Sequence, residues 1–168
     1  MNVSLTTPSG APSTQTSGNA LISLFSGAGG LDLGLEMAGF STRIAVELDG
    51  DARQTLKDNQ RRFWSSQFPI FEDVTALDPQ FILDQAGLEP GEAVLVAGGP
   101  PCQSFSTAGN RQSLGDPRGS LFKNFADVIE IARPRFFVME NVRGILSAAI
   151  KHRPLIERGS DFPPLTIE

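Results

Sequence analysis

Residues Ala20–Gly30, ALISLFSGAGG, have the pattern of a buried strand that runs directly into a glycine-rich turn. The apolar run ends at Ser26-Gly27, where a serine and a glycine interrupt the strand pattern. The spacing of apolar residues over 31–38 then predicts a helix, which Gly39 terminates. The face of this helix that we expect to be buried carries Leu31, Gly34, Leu35 and Ala38.

The same alternation continues through the chain. Four further apolar runs predict strands at residues 42–46, 69–71, 93–97 and 135–139. Helical patterns lie between them at residues 50–63, around 78–86, and at 120–132. On the second helix we expect Ala52, Leu56 and Phe63 to face the core, and Arg53, Lys57 and Arg61 to face solvent. Strands alternating with helices predict an α/β fold: an open, mostly parallel sheet with helices on both faces.

The composition divides the chain into three parts. Residues 1–19 are almost all small or polar, which is typical of a flexible tail. Residues 20–150 carry the strand and helix patterns and form the predicted domain, with a long aperiodic loop at 98–119. Residues 151–168 are Pro-rich and irregular. We therefore expect the domain to be incomplete, with an irregular segment at the truncation.

Charge and residue usage exclude several classes of protein. The 168 residues include 14 basic and 19 acidic side chains, a net charge of -5, which excludes a polybasic nucleic-acid coat. One cysteine and one histidine exclude a disulfide framework and a His/Cys metal cluster within this chain. No apolar stretch approaches the ~20 residues of a membrane helix, and no signal peptide is present. These features predict a soluble cytoplasmic protein without metal.

Ligands of open parallel sheets bind beyond the carboxyl ends of the strands. The glycine turn after the first strand is suited to close approach of a ligand, although a plain tight turn explains it equally well. The dinucleotide pattern G-x-G-x-x-G fails, because Asp32 stands where the third glycine is required. The turn therefore argues against a nicotinamide-dependent oxidoreductase.

Acidic residues follow the second and third predicted strands. Glu47 lies 20 residues after Gly27, where an acid accepts hydrogen bonds from ribose hydroxyls. Asp73 is placed to accept a hydrogen bond from an adenine amino group. Taken singly, Glu47 is explained by a solvated charge and Asp73 by a helix cap. Together with the glycine turn, they favour an adenosine-containing cofactor.

Two reactive side chains follow the fourth and fifth predicted strands. Cys102 sits in a Pro-Pro-Cys loop at a strand end, the position of a nucleophile rather than of a structural cysteine. Glu140 emerges from an apolar strand, where burial would raise its pKa and keep it protonated near neutral pH. A helix-capping role for Glu140 remains open at this point.

The segments FSGAGGLDLGLEMAGF (residues 25–40), GGPPCQSFS (98–106) and MENVRGIL (139–146) occur in that order. They resemble the catalytic half of DNA (cytosine-5) methyltransferases from about Ala20 to Gly144. The resemblance implies a Rossmann-like, S-adenosylmethionine-dependent methyltransferase fold. It also implies transfer of a methyl group from S-adenosylmethionine to C5 of cytosine in DNA, through a covalent adduct between Cys102 and C6 of the base.

The resemblance assigns roles to individual residues. The catalytic pair is Cys102, the nucleophile, and Glu140, the acid that contacts the target base. The implied S-adenosylmethionine site comprises Phe25, Gly27, Gly29, Glu47, Leu48, Asp73, Val74, Pro100 and Leu121. The implied substrate-binding residues are Pro101, Gln103, Ser104, Arg118, Asn141 and Val142.

The sequence departs from the family pattern in two respects. Leu48 stands where many members have an aromatic residue that stacks on adenine. The later Gln-x-Arg-x-Arg motif and the target-recognition domain are absent. We therefore expect an N-terminal portion: a truncation, or one subunit of a split enzyme whose complementary C-terminal chain carries the target-recognition domain.

Two other functions remain open from the sequence. One is an RNA (tRNA) cytosine-5 methyltransferase of the same family, because that branch shares both the Pro-Cys loop and the Glu-Asn-Val segment. The other is a non-catalytic, cofactor-binding half of a split enzyme. The expected partners are DNA and a complementary C-terminal chain, without a membrane.

Overall fold

The computed structural model describes residues 18–101 and 120–141. Its strands are β1 (Ala20–Leu24), β2 (Ser41–Val46), β3 (Ile70–Phe71), β4 (Leu95–Gly98) and β5 (Phe136–Met139). Its helices are α1 (Gly30–Met37), α2 (Gly50–Phe63), α3 (Pro79–Ala86) and α4 (Ser120–Ala132), with a short 3₁₀ helix at Val74–Ala76. The predicted alternation of strands and helices is confirmed.

The strands form one parallel sheet in the order β3-β2-β1-β4-β5. The chain moves from β1 outward to β3 and then returns to place β4 on the other side of β1. Leu24 at the end of β1 is in register with Val46 of β2 and with Gly98 of β4. The order of the strands therefore reverses beside β1, and the carboxyl ends of β1, β2 and β4 meet there. This is the position at which ligands bind in such sheets.

Apolar side chains cover both faces of the sheet, as predicted. Ile22 and Leu24 of β1 pack in the largest buried cluster, which includes residues of α3 and α4 such as Ile82 and Phe125. Leu21 points to the other face, where it clusters with residues of β4 and with Leu35 of α1. Helices from both sides thus bury the central strand.

The predicted buried face of α1 is wrong in part. Leu31 is 39% exposed, and Gly34 and Ala38 are also exposed, whereas the buried residue of the helix is Asp32. The reason is a hydrogen bond, because the Ser23 hydroxyl of β1 lies 2.6 Å from Asp32 Oδ1. This contact turns a polar side chain of the first helical turn towards the sheet.

Two predictions for α2 are also wrong. The Arg53 side chain is only 17% exposed, because its guanidinium donates hydrogen bonds to the carbonyl oxygens of Glu47 and Leu48. Phe63 is 44% exposed, whereas Leu56 is buried as expected. Trp64, one residue beyond the helix, takes the buried place that was predicted for Phe63.

Strand β5 forms the edge of the described sheet. Its residues Phe136, Phe137 and Val138 are 65%, 58% and 41% exposed, respectively. Successive side chains of a strand point to opposite faces. Both faces of β5 are therefore left open by the described residues.

Strands β4 and β1 approach each other closely at Gly98, and this approach provides a test of the fold. A β-carbon at Gly98 would lie 2.2 Å from the Leu24 carbonyl oxygen and 3.1 Å from Phe125 Cε2. We expect Gly98→Ala to lower the free energy of unfolding by about 1–3 kcal/mol, because backbone and core must shift. Urea unfolding followed by circular dichroism measures this change.

Gly34→Ala is the matched control for this substitution. A β-carbon at Gly34 meets nothing within 4 Å, and the position lies inside α1. The control should raise the free energy of unfolding by about 0.5–1 kcal/mol through helix propensity. Equal effects of the two substitutions would contradict the described packing of β1 against β4.

Candidate active site

The turn after β1 has the backbone conformation that its glycines permit. Gly27 and Gly29 have φ of 55° and 85°, in the left-handed region that favours glycine. A β-carbon at Gly29 would lie 2.5 Å from Leu56 Cδ2, so α1 starts against α2 only with a glycine there. Phe25 also has a positive φ of 54° and packs partly against the main core. The turn is therefore held at its start by the packing of Phe25 and at its end by the close packing of Gly29 against Leu56.

Glu47 connects the end of β2 to this turn. Its Oε2 accepts a hydrogen bond of 2.7 Å from the backbone N–H of Gly27, and its Oε1 accepts one of 2.8 Å from the N–H of Asp49. Glu47 is therefore not simply a solvated surface charge, since two backbone hydrogen bonds hold its carboxylate in position. A carboxylate has about four acceptor positions, so two remain for a ligand's hydroxyl groups.

The residues after β2 and β3 lie at the same edge in different environments. Asp73 Oδ1 accepts hydrogen bonds from the N–H and the hydroxyl of Thr75, which makes Asp73 the cap of the 3₁₀ helix. Leu48 is 63% exposed. Val74 is buried in the main core, and Leu121 packs partly against it. A cofactor role for these side chains stays a prediction.

The ends of β4 and β5 are held together beside the same edge. The Glu140 N–H donates a 3.0 Å hydrogen bond to the Gly98 carbonyl, and Asn141 Nδ2 donates one of 3.0 Å to the Pro100 carbonyl. A β-carbon at Gly99 would lie 3.2 Å from Glu140 Oε2. The glycine therefore leaves room for the Glu140 carboxylate directly beside the start of the Pro-Pro-Cys segment.

Five predicted site residues lie outside the described residues: Cys102, Gln103, Ser104, Arg118 and Val142. Pro100 is buried, and Pro101, the residue before Cys102, is exposed. The Glu140 side chain is exposed as well. The burial that was expected for Glu140 is therefore not found among the described residues.

Asp32 is a site feature that the sequence analysis missed. Its side chain is 1% exposed, and burial raises its pKa to about 6. The charge of Glu47 acts in the same direction, whereas hydrogen bonds with the Ser23 and Ser26 hydroxyls oppose it. Asp32 was considered only as a break in a dinucleotide motif. The apolar periodicity around it gave no signal that it faces the sheet.

The acceptor oxygens and the glycine turn at this edge fit an adenosine-containing cofactor. Glu47 keeps free acceptor positions beside a glycine turn that a ligand can approach closely. Within residues 18–101 and 120–141, no group of three His, Cys, Asp or Glu side chains could hold a metal ion. In the same residues, no helix is long and apolar enough to cross a membrane.

Two curated bacterial proteins illustrate what the chain is similar to. It is 50% identical over 128 residues to type II methyltransferase M.AquIA of Picosynechococcus sp., covering 76% of this chain and 50% of that protein. It is 42% identical over 137 residues to type II methyltransferase M.DdeI of Desulfomicrobium norvegicum, covering 82% and 31%. The chain thus spans half or less of the length of these relatives.

Solved structures agree with these similarities. A putative DNA modification methyltransferase encoded within a prophage of E. coli matches with a TM-score of 0.60 and 36% identity. That match covers 76% of this chain and 33% of the other. The S. pombe Dnmt2 methyltransferase matches with a TM-score of 0.54 over 78% of this chain and 38% of its own, at 22% identity, which shows a shared fold.

A model of a whole protein family matches the chain as well. The model of the family described as C-5 cytosine-specific DNA methylase matches residues 20–154, which include every described strand and helix. The predicted Rossmann-like methyltransferase fold is confirmed by the parallel sheet and by the solved relatives. The chain therefore belongs to the C-5 cytosine-specific DNA methylase family.

Proposed function

We propose that this chain supplies the cofactor-binding and catalytic part of an enzyme that transfers a methyl group from S-adenosylmethionine to C5 of cytosine in DNA. One arrangement carries the proposal. Glu47 bonded to Gly27 at the ends of β1 and β2 shares a sheet edge with Glu140, which lies beside Gly99 at the ends of β4 and β5. The proposed cofactor site and the proposed base-binding acid thus belong to the same edge of the sheet.

In this proposal the cofactor's adenosine part lies against the ends of β1, β2 and β3. The two free acceptor positions of Glu47 receive the ribose hydroxyls, and the turn at Gly27 allows close approach. Asp73 is assigned to the adenine amino group. Leu48, which directly follows Glu47 and is exposed, is assigned to cover the adenine ring. S-Adenosylmethionine, when bound, supplies an electrophilic methyl group.

Chemistry at the base requires the other two strand ends. The Cys102 thiolate adds to C6 of cytosine, which makes C5 nucleophilic enough to take the methyl group. Glu140 hydrogen-bonds at N3 and stabilises the charge that develops in the ring. Once C5 carries the methyl group, its proton passes to a water molecule, the C5–C6 double bond forms again, and the bond between sulfur and C6 breaks, which restores the thiolate. The base must first be rotated out of the duplex.

The nucleophile assignment predicts the effect of one substitution. Cys102→Ser should abolish methyl transfer in any complete version of the enzyme, because a hydroxyl is a much weaker nucleophile than a thiolate. Tritium transfer from labelled S-adenosylmethionine to duplex DNA and, in parallel, to tRNA measures the loss. Cofactor binding should be unchanged. Near-normal turnover by the serine variant would refute the role of Cys102.

The ribose assignment predicts weaker cofactor binding when the carboxylate is neutralised. Glu47→Gln keeps the size of the side chain but replaces one acceptor oxygen by a donor. We expect the affinity for S-adenosylmethionine to fall by about 1–3 kcal/mol, roughly 5- to 150-fold. Isothermal titration calorimetry measures this, with Glu130→Gln on the exposed surface of α4 as the matched control. Equal affinities of the two variants would contradict the assignment.

We further propose that a C-terminal polypeptide carrying the target-recognition domain packs on β5. A parallel sheet is normally covered on both faces, and the described part of the chain leaves β5 open on both. The relatives are at least twice as long as the part that this chain matches, so they contain further polypeptide beyond the match. It would also supply DNA contacts that offset the cost of base flipping.

This arrangement predicts that residues 1–168 alone do not methylate DNA at a measurable rate. Adding the matching C-terminal chain in trans should restore activity in a tritium-transfer assay on duplex DNA. Phe137→Lys should block the rescue, because a charge would be buried at the new interface. Met37→Lys, at an 83% exposed position of α1, is the control and should not block it. Robust methylation by the isolated chain would contradict the proposal.

A further inference from the structure

Arg53 lies in the first turns of α2, and its side chain reaches back to the carboxyl ends of β2 and β3. Its Nη1 donates hydrogen bonds of 2.8 Å to the Glu47 carbonyl oxygen and of 2.5 Å to the Leu48 carbonyl oxygen. Its Nη2 lies 3.3 Å from Oε2 of Glu72, the residue directly after β3. One guanidinium group therefore connects the segments that follow two neighbouring strands.

The position of Arg53 is unfavourable for the helix itself. The amino end of an α-helix carries a partial positive charge, so acidic side chains are preferred in the first turn and basic ones in the last. Helix α2 follows this preference with Asp51 in its first turn and with Arg61 and Arg62 in its last. Arg53 is the fourth residue of the helix, and its contacts hold the guanidinium beside the amino end. The contacts with the strand ends account for this placement, whereas helix stability does not.

Strand β3 is short and lies at the edge of the described sheet, next to β2. Only two of its residues, Ile70 and Phe71, pair with β2. The backbone hydrogen bond closest to the site runs from the Glu47 N–H to the Phe71 carbonyl. Among the described residues, the next link between the two segments is the ion pair of Arg53 with Glu72. The place of the segment after β3 relative to the segment after β2 therefore depends on Arg53.

This ion pair differs from an ordinary surface pair in one respect. The Glu72 side chain is 65% exposed, and pairs with an exposed partner contribute little to stability, because two long side chains must be ordered. The Arg53 side chain is only 17% exposed, and two carbonyl groups already fix its guanidinium. Fewer rotamers are lost when Glu72 joins it. The pair thus fixes a geometry more than it stabilises the fold.

The two connected segments carry the two acids assigned above to the adenosine part of the cofactor. Glu47, assigned to the ribose hydroxyls, is in the segment after β2, and Asp73, assigned to the adenine amino group, directly follows Glu72. Oδ1 of Asp73 accepts hydrogen bonds from Thr75. Its Oδ2 accepts none from the described residues, so this oxygen is available to a ligand.

We propose that Arg53 is a positioning residue, which sets the separation between Glu47 and Asp73 and so makes the site select the exocyclic amino group of adenine. The inference rests on the proposed function. Two acceptors on separate strand ends bind the ribose and the adenine of one adenosine together only when they are held at the matching separation. Arg53 acts through the two segments and not by touching the ligand, because its donors face two carbonyl groups and Glu72.

Calorimetric titration of the 168-residue chain with two ligands tests the proposal. S-Adenosylhomocysteine, the product that methyl transfer leaves, has the amino group, whereas S-inosylhomocysteine has an oxygen in its place. For the wild type, we expect an affinity about tenfold higher for S-adenosylhomocysteine, the value of one hydrogen bond to a charged acceptor. Arg53→Met, which removes the donors but keeps an unbranched side chain, should reduce this preference to about threefold or less. Arg61→Met, at an exposed position of the same helix, is the matched control and should retain it.

A second variant tests the connection without changing a largely covered side chain. Glu72→Gln removes the charge that Arg53 holds at an exposed position, and it should also reduce the preference to about threefold or less. The double variant should lose no more than Arg53→Met alone, because both substitutions break the same connection. A smaller folded fraction lowers both affinities by the same factor, so a purely structural role of Arg53 leaves their ratio unchanged.

The results separate the inference from the proposed function. A wild-type preference that is retained by Arg53→Met or by Glu72→Gln would overturn the role of Arg53 and leave the cofactor assignment intact. If Arg53→Met does not fold, Glu72→Gln decides. Equal affinities of the wild type for the two ligands would overturn the selection of the amino group, and this comparison needs no variant. Absence of binding of both ligands to the wild type would contradict the proposed function and the inference with it.

Discussion

The hydrogen bond between Glu47 and the backbone of Gly27 connects the first two strand ends into one surface. It is 2.7 Å long and joins residues 20 apart in sequence. The turn needs it because Gly27 has a left-handed backbone and lies between β1 and α1, so that its N–H belongs to neither a strand nor a helix. The carboxylate satisfies that N–H and still faces the edge where the strand order reverses.

A second constraint brings the other two strand ends to this surface. Gly98 lets β4 approach the Leu24 carbonyl more closely than any other residue could, and the neighbouring Gly99 makes space for the Glu140 carboxylate. Asn141 then ties the end of β5 to Pro100. Glycines at two consecutive positions thus determine how near the Glu140 carboxylate comes to the turn at Gly27. Their role is spatial, since neither requires a positive φ.

The sequence predicts most of the fold and the place of the site, because both depend on local patterns. Short apolar runs and the residues that follow them identify five strands and the acids Glu47, Asp73 and Glu140 at their ends. Contacts between distant residues are not encoded in such patterns. The Arg53 side chain is largely covered because its guanidinium donates hydrogen bonds to two carbonyl groups, and Asp32 is buried because it accepts a hydrogen bond from Ser23. The roles of Cys102 and of the segment around it come from the family resemblance.

The account depends on the cofactor occupying the carboxyl edge around Gly27. Amide chemical shifts of the isotope-labelled chain, recorded by NMR while S-adenosylmethionine is added, test this most directly. The N–H groups of Gly27 and Asp49, which both donate to Glu47, should shift together and saturably. The N–H of Ser41, at the opposite end of β2, should not move. Shifts at Ser41 without shifts at Gly27 and Asp49 would contradict the account.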